Sequence, residues 1–317
     1  MKWAFLFPGQ GAQYVGMGRD FYQAFPLVRE IFDEADDCLS QNLSDLILQG
    51  PADALTQTKN SQLAIFVLSV ALLRLLQQQI PTCIPQVCAG LSLGEYTALV
   101  ASQRMDFVDC LQLVKARALY MQEACTSNQG TMRVVLGMEA DDIEKTIRTM
   151  QTQYKVWVAN LNCPGQVVIA GTPAGIEAAS EILKAQGAKR VLPLDVSGAF
   201  HSGLMAEAQE RLAPLIQEAN FSESEIELVM NIPGNYVSSL AEIRKNLTEQ
   251  VTGTVRWEQG IRAMDAAGVN RFLEIGCGKT LTGMNKKIGI PTDNLLSMEK
   301  VVDLETIAKA FEVVCNC

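Results

Sequence analysis

Residues Gly90-Leu91-Ser92-Leu93-Gly94 form a G-x-S-x-G pentapeptide between a short apolar stretch, Gln86–Ala89, and a helical pattern that starts at about Gly94. A buried strand that passes at once into a helix needs a sharp reversal, and glycines on either side of the serine permit it. The turn lifts a hydroxyl above the carboxyl end of the strand, beside a helix N-terminus whose amides favour negative charge. Such a unit belongs in a layered α/β fold with a parallel central sheet. The other reading of the pentapeptide is an ordinary helix-entry serine with glycines beside it.

The chain has one histidine, His201. A serine hydroxyl is a weak nucleophile until an adjacent base takes its proton, and imidazole is the ring that does this near neutral pH. If Ser92 is a nucleophile, its partner is almost forced. His201 lies in Val196-Ser197-Gly198-Ala199-Phe200-His201-Ser202, a run of small residues that reads as a loop, and loops often present functional side chains. Asp195 could complete a Ser–Asp–His order. The amide of Leu93 is the expected first donor to an oxyanion.

A helical pattern over Phe107–Cys125 puts Cys110, Leu111, Val114, Ala118, Met121 and Cys125 on one face, by three-and-four spacing. Arg117 falls in that apolar stripe. A guanidinium keeps its proton and is costly to bury unpaired, so it needs an anion or a route to solvent. Its partner is either a structural carboxylate elsewhere in the fold or the carboxylate of a substrate, gripped by the planar fork.

Hydrophobic residues make up 48% of the 317 and charged residues 19%, a globular balance that excludes disorder. The net charge of −9 argues against broad nucleic-acid binding. Met1–Phe7 is too short an apolar run for a signal peptide and Pro8-Gly9 closes it, so it reads as a buried strand. No unbroken apolar run reaches the roughly 18 residues of a membrane span. Without an export signal the nine cysteines are expected as reduced thiols in the cytoplasm. Cys315-Asn316-Cys317 carries metal-ligand residue types but has no histidine beside it, and no metal is expected.

Residues 129–195 change character. Strand patterns at Met132–Leu136, Lys155–Leu161, Gln166–Ala170 and Arg190–Leu194 alternate with helical patterns at Ala140–Met150 and Ala174–Gln186, with a turn at Asn162-Cys163-Pro164-Gly165. That βαββαβ order is the ferredoxin-like pattern. It is inserted in the larger unit, residues 1–128 and 196–317, where strand patterns resume, as at Arg271–Ile275. A long apolar helix is predicted over Asn60–Gln79, capped near Asn60 or Ser61.

Over nearly its full length the chain resembles the malonyl-CoA:acyl-carrier-protein transacylases of type II fatty-acid synthesis. The resemblance is carried by Phe7–Gln13, Gly90–Tyr96, Arg117 with Met121-Gln122, Asn160–Gly171, Val196–Ser202, Val255-Arg256-Trp257 and Phe272–Gly276 running to Thr282-Gly283. It implies a hydrolase-like α/β core with a nucleophile elbow and an inserted ferredoxin-like subdomain. Ser92 would be the acylated nucleophile and His201 its general base. The amides of Gln10 and Leu93 would form the oxyanion hole. Arg117 would hold the malonyl carboxylate, with Phe200, Asn160 and Asn162 in the substrate site. The main-chain carbonyl of Gln250 would orient the imidazole, in place of Asp195. The reaction implied is ping-pong transfer of malonyl from malonyl-CoA to the phosphopantetheine thiol of acyl carrier protein, by a monomer with no bound cofactor. Lys189-Arg190 and Lys286-Lys287 are candidate docking patches for an acidic carrier. Three positions depart from the family pattern: Leu91 stands where histidine is usual, Thr254 where proline is, and Cys277 also differs. Two rival readings are a thioesterase that passes the acyl group to water and a non-catalytic carrier-binding module. A third is an acyltransferase for another extender unit.

Overall fold

The structure, a computed structural model, describes residues 1–315, so Asn316 and Cys317 of the Cys315-Asn316-Cys317 tail lie outside the described residues. Its strands in chain order are β1 (Trp3–Phe7), β2 (Val87–Gly90), β3 (Thr131–Leu136), β4 (Val156–Cys163), β5 (Gln166–Gly171), β6 (Arg190–Pro193), β7 (Glu227–Met230), β8 (Asn235–Val237), β9 (Val255–Arg256), β10 (Arg271–Ile275) and β11 (Leu295–Met298). They form two sheets, of order β11-β10-β1-β2-β7-β8 and β6-β3-β5-β4-β9.

The first sheet is parallel from β11 to β7, with β8 antiparallel on one edge. β1 shows why it is buried on both faces. Successive side chains of a strand point to opposite sides. Trp3, Phe5 and Phe7 enter one apolar core, and Ala4 and Leu6 enter another. A continuous apolar run is the signature of such a strand. The larger core also takes the helix Thr58–Gln79, which is long and apolar enough to cross a membrane. Here 83% of its most apolar window is buried inside the protein. This helix starts two residues earlier than the predicted Asn60. The Thr58 amide is satisfied from another helix, by Gln122 Oε1 at 3.0 Å, so no cap at Asn60 or Ser61 is used.

In the second sheet β3, β4, β5 and β6 are antiparallel neighbours, and the helices Ala140–Met150 and Pro173–Ala185 pack on one face. Asn162 and Cys163, expected in the turn, extend β4 instead. β9, from far along the chain, adds to β4 in parallel. On the opposite face Met132, Val168 and Ala170 join the large core. β1 and β2 end level, with Phe7 opposite Gly90. Beyond their carboxyl ends, the loop after β1 and the turn after β2 face the second sheet. A crevice at the carboxyl ends of parallel strands is where such sheets bind ligands.

Candidate active site

The turn after β2 is held by close backbone packing. A Cβ on Gly90 would lie 1.9 Å from the Gly94 carbonyl carbon, and one on Gly94 would lie 2.1 Å from the Phe7 carbonyl oxygen. Between them Ser92 takes φ 52°, and His201 takes φ 55°. Side chains with Cβ atoms visit this left-handed region only where the surroundings impose it.

Ser92 Oγ lies 2.8 Å from His201 Nε2. His201 Nδ1 lies 2.7 Å from the main-chain oxygen of Gln250. A carbonyl only accepts, so Nδ1 carries the proton and Nε2 presents its lone pair to the serine. His201 is 4% exposed. Burial, reinforced by the positive charge of Arg117, pushes it down to about 4, so the ring is neutral at pH 7. Asp195 is exposed, and the imidazole nitrogen it would need is occupied by Gln250. The suggested Ser–Asp–His order is therefore corrected to a carbonyl-oriented pair.

Arg117 is 1% exposed, within the apolar helix Phe107–Ser127. Its Nη2 donates to Ser92 Oγ at 3.0 Å and to Gln250 Oε1 at 2.8 Å, and its Nη1 donates to Gln62 Oε1. Among the described residues these acceptors are all neutral and Nε–H has no partner. The guanidinium also stands over the Tyr96 ring, 5.6 Å from its centre. A buried cation that lines a cavity and has no anionic partner is a place for an anionic group.

That cavity, about 220 Å³, opens between the two sheets. It is lined by Ser92, His201, Arg117, Gln10, Phe200, Asn160 and Asn162, so the structure brings these sequence-derived residues to one place. Asn162 is buried, with its Oδ1 unpartnered. The main-chain amides of Gln10 and Leu93 have no acceptor among the described residues. Leu91 also lines the cavity and gives it an apolar wall. Thr254, the second departure, donates to the Val158 carbonyl at 2.7 Å. Cys277 is buried. Among the described residues no cluster of three potential metal ligands occurs.

Three buried polar residues of the site escaped sequence reading. Gln62 lies in the long apolar helix, and Asn231 follows β7 with no local signal. Glu95 sits in the otherwise apolar helix Gly94–Ala101, and a lone acid in such a run was the one available hint. Asn231 holds the elbow through both ends of its amide: Oδ1 accepts from Ser92 N–H at 2.7 Å and Nδ2 donates to the Gly90 carbonyl at 2.8 Å.

Comparison with known proteins agrees with this architecture. Residues 4–289 match the family described as acyl transferase domain. The malonyl CoA-acyl carrier protein transacylase of Bacillus subtilis is 41% identical over 312 residues, covering 98% of this chain and 96% of the relative. The protein of that name from Escherichia coli K12 is 40% identical over 287 residues, 90% of this chain and 93% of the relative. The structure of MCAT from Streptococcus pneumoniae superposes with a TM-score of 0.92 at 42% identity, over 98% of this chain and 100% of that one. A malonyl-transacylase in complex with its type II PKS acyl-carrier protein gives 0.92 at 36% identity, with 98% and 100% coverage. The chain belongs to the acyl transferase domain family.

Proposed function

We propose that the protein is a malonyl-CoA:acyl-carrier-protein transacylase that works through an acyl-serine. The observation that carries this is the meeting of two groups on one hydroxyl. The His201 Nε2 lone pair is 2.8 Å from Ser92 Oγ, and the Arg117 guanidinium donates to the same oxygen. In this mechanism His201 takes the Ser92 proton as the hydroxyl attacks the thioester carbonyl. The free amides of Gln10 and Leu93 receive the oxyanion, each such donor lowering the barrier by roughly 3 kcal/mol. His201 then protonates the departing coenzyme A thiolate. The malonyl group remains as an ester on Ser92 with its carboxylate on Arg117. Phe200, Asn160 and Asn162 shape the pocket, and the Gln250 carbonyl keeps the ring in its proton-accepting tautomer. A phosphopantetheine thiol then attacks the ester and the steps run in reverse.

The fold supports the same reading in finer terms. The parallel sheet with its elbow corresponds to a hydrolase-like core formed by residues 1–128 and 196–317. Residues 129–195, whose strand order is β6-β3-β5-β4, correspond to an inserted ferredoxin-like subdomain. Seven described cysteines are free thiols, in keeping with a reducing cytoplasmic setting for a monomer that needs no bound cofactor.

The two basic pairs fit one carrier-docking face. Arg190 pairs across the sheet with Leu136, and Leu136 pairs with Gln166. Lys287 Nζ reaches Gln166 Oε1 at 3.4 Å. Met284, one helical turn before Lys287, lines the cavity.

Intact-protein mass spectrometry tests the reading. Malonyl-CoA should add one malonyl group to the chain, carrier protein should then remove it and gain the same mass, and Ser92→Ala should abolish the adduct. Release of free malonate with no gain on the carrier would point to a thioesterase instead.

A further inference from the structure

Beneath the nucleophile lies a layer of buried polar groups that the acyl transfer does not itself use. At its centre is Glu95, 2% exposed. Its Oε1 accepts from the Asn231 main-chain amide at 2.6 Å, and its Oε2 accepts from Gln250 Nε2 at 2.5 Å. Gln250 Nε2 also donates to the Ser92 carbonyl at 2.8 Å, while its Oε1 accepts from Arg117. Every hydrogen-bonding end of the Gln250 amide facing this layer is thus committed. Turned over, the amide would set an N–H against the guanidinium and its oxygen against two other oxygens.

An ionised carboxylate can only accept, so Glu95 admits the NH₂ end of Gln250 and no other. Burial raises the Glu95 carboxyl to about 8, and the two donors and the Arg117 charge offset that rise only in part. With both oxygens meeting donors, the geometry is that of the carboxylate. The Glu95 carboxyl is also close enough to act electrostatically on Arg117. We propose that Glu95 is a positioning residue that orients Arg117 through the Gln250 side-chain amide, and so sets the preference for acyl groups bearing a free carboxylate. This rests on the acyl-serine reading above.

The sharpest variant is Glu95→Gln. Its single carbonyl oxygen should go to the Asn231 amide, which is main chain and cannot turn. Its NH₂ then faces Gln250, and the Gln250 amide is driven over, which removes its bond to Arg117. The readout is the rate of acyl-serine formation from malonyl-CoA and from acetyl-CoA, followed by mass spectrometry on the full chain. The malonyl-over-acetyl ratio should fall about tenfold, and Glu95→Gln should leave that ratio unchanged in an Arg117→Ala background, the non-additivity expected of coupled residues. A merely structural role would slow both donors alike. Equal losses, or a further fall of the ratio without Arg117, would overturn the proposal. If Glu95→Gln does not fold, as judged by circular dichroism, Glu95→Asp carries the same comparison, because its shortened carboxylate cannot reach both donors. Absence of any malonyl-serine on the unsubstituted chain would sink the underlying reading. Normal malonyl-serine with an unaltered ratio in the variants would sink this inference alone.

Discussion

Ser92 is held in an unfavourable backbone conformation, and each neighbour has a separate reason to be there. The imidazole is neutral because burial and the guanidinium both oppose its charge. A base depressed in this way keeps working as the solution is acidified, since it protonates only near its lowered pKa. The acid limb of kcat/KM for acyl-serine formation should therefore lie near 4, not at the ordinary histidine value of about 6.5. With acetyl-CoA as donor, Arg117→Ala should move that limb upward, because it removes one of the two causes. A limb at 6.5 in the intact protein would contradict the assignment. Linkage adds a stability term of the same sign. Between about 6.5 and 4 the unfolded chain binds the His201 proton and the folded one does not, so this residue makes the fold less stable as pH falls through that window. Arg117→Ala should also slow acylation by malonyl-CoA far more than by acetyl-CoA. Losing one partner of a buried charged pair costs about 2–5 kcal/mol, or roughly thirtyfold to several thousandfold in rate. Equal effects on the two donors would remove Arg117 from the carboxylate site.

At the level of elements, the elbow depends on how closely β1, β2 and the helix Gly94–Ala101 approach. Gly94→Ala puts a methyl group 2.1 Å from the Phe7 oxygen, where backbone must move. Its expected cost is about 3 kcal/mol, read by urea denaturation. Gly283 provides the contrast. It lies in the helix Thr280–Ile288 with no atom near its absent Cβ, so Gly283→Ala should stabilise by about 0.5–1 kcal/mol. The same substitution thus changes sign with the surroundings. Most elements were legible in the sequence, because a five-residue apolar run or a 3.6-residue stripe is a local signal. Ala140–Met150 and Arg271–Ile275 were bounded to the residue. The start of the Thr58–Gln79 helix was not, because its first amide is satisfied by Gln122 from a distant segment. The short strands β8 and β9 have three and two residues, too few to show any periodicity.

In the whole molecule, the second sheet lines the cavity on the side opposite the elbow and brings Lys189-Arg190 toward Lys286-Lys287. All four are exposed, on a chain whose net charge is −9. A local basic face on an acidic protein steers an acidic partner to one place. Replacing Lys286 and Lys287 together by Glu should raise KM for carrier protein at least tenfold and weaken its dependence on salt. Malonyl-serine formation from malonyl-CoA should change much less. An unchanged carrier KM would move the docking face elsewhere.

The reactive groups can be named from residue order alone: one elbow serine, a single imidazole and an arginine on an apolar stripe. Each has a chemistry, or a cost of burial, that its local surroundings already show. Packing in the folded chain supplied the buried partners that residue order does not show, Gln62, Glu95 and Asn231. The Glu95–Gln250–Asn231 layer under Ser92 joins segments more than a hundred residues apart, and the bond of the His201 ring to the Gln250 carbonyl spans 49. A hydrogen bond between such segments leaves no periodicity in either, because it depends only on where packing sets their atoms.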